Sequence, residues 1–475
     1  MHFLASLYSE IPPERFANGI GYNWKNIKVF CADRISVLVG VWFSAYKRIE
    51  GVDMKLYLKN IGKVEEAFIE LNGITVIAGE NNTGKSTVGR ALFAVFNAFS
   101  NIEKQIQTDR ISSIDGLLIR MYVSTGRRLD GSADIKKMAT KIVKDLDQYR
   151  ASEEVADVKL QNFLEQETEG EIAEFDEKLV KETVSRIREV INIQDEVFAK
   201  AVLERKLNAE FCNQVRNIFS EDIGRICLEI KNKKIAVDIA VNGGMSIQNP
   251  TGLSLHTEAV YLDDPFILDE AERSLNTHLF YEDHRDHLRS KIFEEKFMVN
   301  LADEILTKDK LEKIYEKISV VCDGEIVKVK WSKAGYRVKK SDKVLDVRNL
   351  STGLKTFVIL KTLLINGTIE QNGTIILDEP EIHLHPEWQL LFAELIVLIQ
   401  KEFGVHVLLN THSPYFLNAI EVYAAKYGVA EKCKYYLASL KGPGCVIKDV
   451  SDRTEEIYSK LAKPLQVLEN ERGNL

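Results

Sequence analysis

Hydrophobic and polar positions change rhythm several times along the chain. Met54 to Asn60 reads Met-Lys-Leu-Tyr-Leu-Lys-Asn, an alternation that predicts a half-buried strand. Gly73 to Ala78 reads Gly-Ile-Thr-Val-Ile-Ala, apolar and β-branched throughout, which predicts a strand buried on both faces. A short polar loop follows, and then Val88, Leu92, Val95 and Phe99 recur at helical spacing on one face. Residues 101–220 carry long helical patterns rich in Glu, Lys and Leu, with Gly170 as a break between two helices. Strand character returns at Ile226–Ile230, Ile235–Val241 and Ala259–Leu262, and a charged helical stretch occupies about 268–318. Val327–Trp331 and Tyr336–Lys339 predict a hairpin turning at Ala334-Gly335. The last third alternates strands and helices, as a parallel sheet covered on both faces requires. The whole predicts an α/β fold.

Residues 1–53 fit this scheme poorly. Pro12-Pro13, scattered aromatics and the lack of a period mark them as an N-terminal extension, an appendage or an overextended translation start, with the working domain opening near Met54. The longest apolar stretch, Ile35 to Tyr46, falls short of the ~20 residues that a bilayer-spanning helix needs. No early basic region leads into an apolar core, as a signal peptide would require. Six scattered cysteines without a C-x-x-C pair fit reduced thiols, and the simplest location is the cytoplasm, with no membrane partner. The net charge is −8, and residues 151–200, with 14 acids and 6 bases, account for all of it. A chain coated in basic surface is excluded, while a local basic patch is not.

Four local patterns carry chemistry. Gly79-Glu80-Asn81-Asn82-Thr83-Gly84-Lys85-Ser86 matches G-x-x-x-x-G-K-[ST] between a buried strand and an amphipathic helix. There the glycines let successive N–H groups curl around a phosphate, and the helix N-terminus adds its positive end. Lys85 is placed to bind the β- and γ-phosphates of ATP, and the Ser86 hydroxyl to hold Mg²⁺. Thr374 to Pro380 delivers Asp378 and Glu379 to the C-terminal end of a second buried strand. Asp378 can hold Mg²⁺, and Glu379 can orient or deprotonate an attacking water.

Leu350-Ser351-Thr352-Gly353-Leu354-Lys355 opens a helix continued by Phe357, Leu360 and Leu364. Alone, Ser351 is an ordinary N-cap. In a P-loop chain, ahead of an Asp-Glu strand, it reads better as a signature that touches a nucleotide. Val407 to Pro414 is a further apolar strand ending in His412, which can hydrogen-bond the γ-phosphate and sense its loss.

On these residues the chain resembles the ABC-type ATPases of the SMC, RecF and OLD (overcoming lysogenization defect) group. More narrowly it is similar to stand-alone AAA family ATPases that share Asp-Glu-Pro-Glu-Ile-His-Leu-His-Pro, here Asp378 to Pro386. The likeness is specific over about 54–100 and 345–420. It implies that Gly79 to Thr87 are Walker A, Asp378-Glu379 Walker B with its catalytic Glu, Ser351 and Gly353 the signature, and His412 the switch histidine. Glu381 to His385 would lie in the segment that crosses the dimer interface, and Tyr261 to Phe266 near the Q-loop.

The implied architecture is an ABC-type head in two parts, residues 54–100 with Walker A and 321–440 with signature, Walker B and switch His. A mainly helical insertion with some strands, 101–320, separates them, and 441–475 form a tail. The insertion is too short and irregular for a long coiled coil. Two heads would sandwich two ATPs as a homodimer, open to higher assembly, because Ser351 serves its partner's P-loop.

The resemblance further implies a part in prokaryotic anti-phage defence beside a separate nuclease or toxin effector. The tail is expected to leave little room for a TOPRIM nuclease of the usual size and lacks a carboxylate cluster of that sort. A DNA-repair or chromosome-handling ATPase is the first alternative. The basic hairpin lysines Lys328, Lys330, Lys333, Lys339 and Lys340 with Arg337, Trp331 and Tyr336 would then touch DNA. A slowly hydrolysing, nucleotide-gated scaffold is the second; a transporter subunit is disfavoured. His383 and His385 fit an interface loop better than a metal site. Asp283 to His287 fit a solvated helix face.

Overall fold

The computed structural model describes residues 54–124, 132–150, 152–168, 175–250, 252–270, 283–293, 301–329, 333–339, 341 and 343–473. The expectations for residues 1–53, Gly170 and the hairpin residues Lys330, Trp331 and Lys340 lie outside them.

The first strands are β1 (Met54–Ile61), β2 (Val64–Glu70) and β3 (Ile74–Gly79). Next come β4 (Gly224–Ile230), β5 (Lys233–Ile239), β6 (Met245–Gln248) and β7 (Ala259–Leu262). After β8 (Glu325–Val329), β9 (Lys333–Arg337) and β10 (Val344–Asp346) follow β11 (Thr374–Asp378), β12 (His406–Thr411), β13 (Cys433–Lys441) and β14 (Gly444–Asp449). Eleven of them form one sheet in the order β6-β5-β4-β1-β2-β14-β13-β3-β12-β11-β7. From β13 to β7 neighbours run parallel, and from β6 to β2 antiparallel. The antiparallel half therefore includes residues 224–248, and β7 forms the parallel edge. The span 101–320 is accordingly divided between the sheet and helices. β14, in the expected tail, joins the halves by pairing with both β13 and β2.

The helices are α1 (Lys85–Phe99), α2 (Ile102–Ser124), α3 (Ser132–Lys144), α4 (Glu153–Glu167), α5 (Glu177–Asn192) and α6 (Asp195–Phe211). Further on come α7 (His284–Phe293), α8 (Leu301–Ile318), α9 (Thr352–Ile365), α10 (Pro386–Phe403), α11 (Pro414–Tyr427) and α12 (Glu455–Gly473). Alternation along β3 feeds both faces of the sheet. Ile74, Val76 and Ala78 join a core with Phe357, Phe392 and Phe416 of α9 to α11. Ile77 joins the opposite core with Leu92, Phe93 and Val95 of α1 and Val202, Leu203 and Leu207 of α6.

A third core is built by α2 to α5 with Tyr149 and Phe175, around Ile114, Leu118, Met138, Ile142, Leu160, Leu164 and Ile187. These helices form an arm with its own apolar interior. α2 contributes to two cores: Ile102 and Ile106 pack in the head, Ile114, Leu118 and Met121 in the arm. Arg110, between those sets, pairs with Asp195 at the start of α6 at 2.8 Å.

β8, β9 and β10 form a separate small sheet. The hairpin exists, but its turn does not fall at Ala334-Gly335. Both lie inside β9, opposite Lys328 and Val327, because the alternation continues through them and buries Ala334 and Tyr336 on one side.

Candidate nucleotide site

β3 is buried along its length and ends at Gly79. A Cβ there would stand 2.6 Å from the Ala438 carbonyl oxygen, so the loop leaves the sheet where only glycine fits. Gly84 has φ +81°, and a Cβ would meet the Cys445 sulfur at 2.4 Å. Two independent constraints, backbone and space, therefore require that glycine. α1 starts at Lys85 with no acid in its first turn, which leaves its positive end to an anion.

A cleft of about 390 Å³ opens over this loop. Asn81 to Thr87 line it with Lys63, Asp263, Asp378, Glu379 and Ile382. Glu80 contributes its carbonyl oxygen, which accepts from Lys85 at 2.9 Å and from the Thr83 hydroxyl at 2.7 Å. Lys85 also donates to the Gly79 carbonyl at 3.0 Å and pairs with Glu379 at 3.2 Å.

Asp378 and Glu379 leave β11 in different conformations. Asp378 accepts from the Tyr261 hydroxyl at 2.9 Å and from the Asn410 side-chain amide at 3.0 Å. Glu379 has φ +51°, a left-handed backbone unusual for Glu, held by its N–H to the Asn410 carbonyl at 2.9 Å. Its carboxylate stands 3.3 Å from Nδ1 of His412. The His412 imidazole beside it, helped by Lys85, holds Glu379 below the ordinary carboxylate range, and Glu379 in turn raises His412.

Behind them, Glu381 is 2% exposed. It accepts from the Thr411 hydroxyl and from the His412 N–H at 3.2 Å. Burial raises its pKa against those bonds, and its second carboxylate oxygen has no protein partner. Residues 79–87, Asp378 with Glu379, and the His412 strand end thus come together in the structure.

Ser351 and Gly353 do not reach this cleft. Ser351 caps α9, accepting from the Leu354 N–H at 3.4 Å. With Thr352, Gly353, His383, His385 and Trp388 it lines a second cleft of about 420 Å³. A Cβ on Gly353 would stand 2.9 Å from the His383 carbonyl oxygen. Lys355, at the end of the same motif, is buried and committed to Asp269 at 2.7 Å.

Three features of the site were not expected. Tyr261 reaches Asp378 from the edge strand, across 117 residues of sequence. Asn410 braces both Walker B residues. His284 and His287, expected on a solvated face, are 5% and 6% exposed. The helix carrying them is charged, but its histidines and Arg285 meet carboxylates contributed from elsewhere in the fold. His284 stacks on Tyr261, ring centroids 4.3 Å apart. Its Nδ1 lies 2.8 Å from Glu210 and its Nε2 3.0 Å from Asp263. Burial lowers the His284 pKa, but these two carboxylates more than reverse it and raise it to about 9. His287 faces Glu258 at 3.0 Å. Tyr336 of the basic hairpin is buried too; its hydroxyl accepts from the Gly324 N–H at 2.8 Å, so it is not free to stack on a base. Among the described residues no helix is long and apolar enough to cross a membrane.

The donor set fits a magnesium-bound nucleoside triphosphate. The glycine-shaped cradle and Lys85 suit phosphate oxygens, while the Ser86 hydroxyl and Asp378 supply the oxygen ligands that a hard cation takes.

The chain is similar to several known proteins. A family described as "AAA domain, putative AbiEii toxin, Type IV TA system" matches residues 74–418. The Retron Ec83 probable ATPase of Escherichia coli is 27% identical over 178 residues, 34% of this chain and 31% of that protein. The Retron Vc95 probable ATPase of Vibrio cholerae serotype O1 biovar El Tor is 25% identical over 147 residues, 28% of each. The chain thus spans about three-tenths of the length of these relatives. Among solved structures, the SMC head domain from Thermotoga maritima aligns over 84% of this chain and 99% of its own, at 12% identity and a TM-score of 0.36. An SMC head bound to the C-terminal winged-helix domain of ScpA aligns over 86% and 99%, at 12% identity and a TM-score of 0.44.

Proposed function

Because the chain belongs to the AAA-domain family that spans residues 74–418 and carries an ABC-type P-loop head, we propose that it binds and hydrolyses ATP as a homodimer of heads that controls a separate effector. The observation that carries this reading is the split of its functional residues between two clefts. One holds Lys85, Ser86, Asp378 and Glu379, and the other Ser351 and Gly353. A signature that lines a different cleft from its own P-loop suits a site completed by a second copy.

In this reading the P-loop N–H groups and Lys85 hold the β- and γ-phosphates, and Ser86 and Asp378 hold Mg²⁺. Bound Mg²⁺ would supply charge neutralisation at the phosphates. In the structure Lys85 is paired with Glu379. An incoming phosphate competes for Lys85 and frees Glu379 to orient water or accept its proton. His412, against Glu379, is then placed to register whether the γ-phosphate is present. Asn410 and Tyr261 keep Asp378 aimed into the cleft.

The test is the size of Glu379→Gln in solution with ATP and Mg²⁺. A stable dimer that hydrolyses poorly is expected. A variant that binds ATP and remains a monomer at saturating nucleotide would remove the sandwich.

For the biological role, the family resemblance and the retron ATPase relatives favour anti-phage defence in the prokaryotic cytoplasm. The expected partner is a nuclease or toxin, and the acidic arm is its favoured dock. Purification of the tagged chain from its native locus, with and without ATP, tests this. A stoichiometric nuclease or toxin supports the reading. Recovery of the chain with salt-sensitive nucleic acid instead would move the role to direct work on DNA.

A further inference from the structure

A buried hydrogen-bonded chain links α6, the helix that follows the arm, to the nucleotide cleft. Glu210, in the last turn of α6, has a side chain with no solvent exposure. It accepts twice from one residue: the His284 backbone N–H at 2.6 Å and Nδ1 of the His284 ring at 2.8 Å. The other ring nitrogen lies 3.0 Å from Asp263, which lines the nucleotide cleft. Both ring nitrogens thus face carboxylates, which only accept, so the imidazole donates from both and carries a positive charge.

The same ring lies flat on Tyr261, whose hydroxyl holds Asp378. β7 fixes this geometry, since Tyr261 pairs in register with Ile376 and Leu262 with Leu377 of β11. Asn97 of α1 secures the start of β7 with two hydrogen bonds to Ala259, at 2.7 and 2.8 Å. α6 in turn packs on α1, and its first residue, Asp195, pairs with Arg110 of α2.

We propose that His284 is a positioning residue for the nucleotide site, holding Asp263 and Tyr261 in place for the metal-bound phosphates and tying that placement to the arm through Glu210. The proposal rests on the ATP-binding reading above and deepens it. The nucleotide site and the end of α6 share one buried cation. A change in the seating of α6 therefore alters the aim of Asp263, and occupancy of the cleft alters the seating of α6 by the same free energy. Neither Glu210 nor His284 enters the cleft. Their effect travels through Asp263 and Tyr261.

A double-mutant cycle tests this by equilibrium binding of the fluorescent nucleotide mant-ATP with Mg²⁺ to the full chain, with no turnover required. Asp263→Asn and Glu210→Gln are each expected to weaken binding about tenfold, the usual scale for groups that orient metal-site ligands from behind. The double variant is expected to be no weaker than the poorer single one. Hydrogen exchange across residues 195–211 is expected to slow on addition of Mg-ATP in the wild type and to stay unchanged in His284→Gln.

Additive effects in the cycle, or wild-type binding by a folded Glu210→Gln, would overturn the proposal. If Glu210→Gln does not fold, the cycle of His284→Gln with Asp263→Asn asks the same question, with the same two outcomes. Absence of mant-ATP binding in the wild type overturns the nucleotide reading instead. Wild-type binding that is lost in Lys85→Ala isolates any failure to the coupling.

Discussion

The P-loop cleft and the signature cleft are built from similar parts, hydroxyls, glycines and histidines, but are wired in opposite ways. In the P-loop cleft the charged groups face one another. Lys85 meets Glu379, Glu379 meets His412, and Asp378 is held from both sides by Tyr261 and Asn410. A buried carboxylate, Glu381, braces the His412 turn from behind. In the signature cleft, Ser351 reaches only the N–H of its own helix, and His383 and His385 are exposed. The first has a resting arrangement of its own, whereas the second would be completed by another surface in the dimer proposed above. In that dimer, such a chain supplies half of each of two sites.

Several changes break or sharpen that contrast. The largest effect is expected from Glu379→Gln, which should cut the steady-state hydrolysis rate about 10²–10⁴-fold while mant-ATP affinity is kept. Turnover near the wild-type rate would remove Glu379 from the chemistry. Next, Lys85→Ala and Ser351→Arg should each be inactive alone. Mixed in equal amounts they should recover about a quarter of wild-type activity, because half the dimers are mixed and each carries one intact site. No recovery on mixing would mean that both clefts serve one chain.

Smaller effects separate the clefts by stability. Glu381→Ala strands the Thr411 hydroxyl and the His412 N–H, and should cost about 1–3 kcal/mol in urea unfolding. Ser351→Ala removes a single exposed cap and should cost about 1 kcal/mol or less, while impairing ATP-dependent dimerisation more than folding. If the two costs were equal, the signature would be as internally committed as the P-loop.

The chemistry was legible wherever it is contiguous. The glycine loop, the Asp-Glu strand end, the Ser-Thr-Gly helix start and the His412 strand end are short strings whose spacing is set by local backbone geometry. The flanking buried strands were visible from their β-branched composition. What could not be read is what the fold brings together from afar. Tyr261 and Asp378 are 117 positions apart, and His284 and Glu210 are 74 apart. α7 is polar enough to suggest a solvated face, yet its two histidines are buried against Glu258, Asp263 and Glu210. The continuous sheet also hides in the sequence. β4 to β6 follow the arm in the chain but extend the strand pairing of β1, and no local pattern reports which edge a strand will join. The hairpin turn was misplaced because Gly335 suggests a bend, while the pairing of β9 continues through it.

The helix shared by two cores has a mechanical consequence. α2 spans 23 residues, from Ile102 to Ser124, about 35 Å of rigid rod. Its first turns are fixed in the head beside α1, and its far turns organise the arm. Such a rod is a pointer: a rotation of about 10° at its root sweeps its tip through roughly 6 Å. The distance is comparable to a full helical turn, enough to change which residues meet on an opposing surface. A displacement too small to notice around a phosphate can thus become, at the far end, a change of register that a partner protein can read.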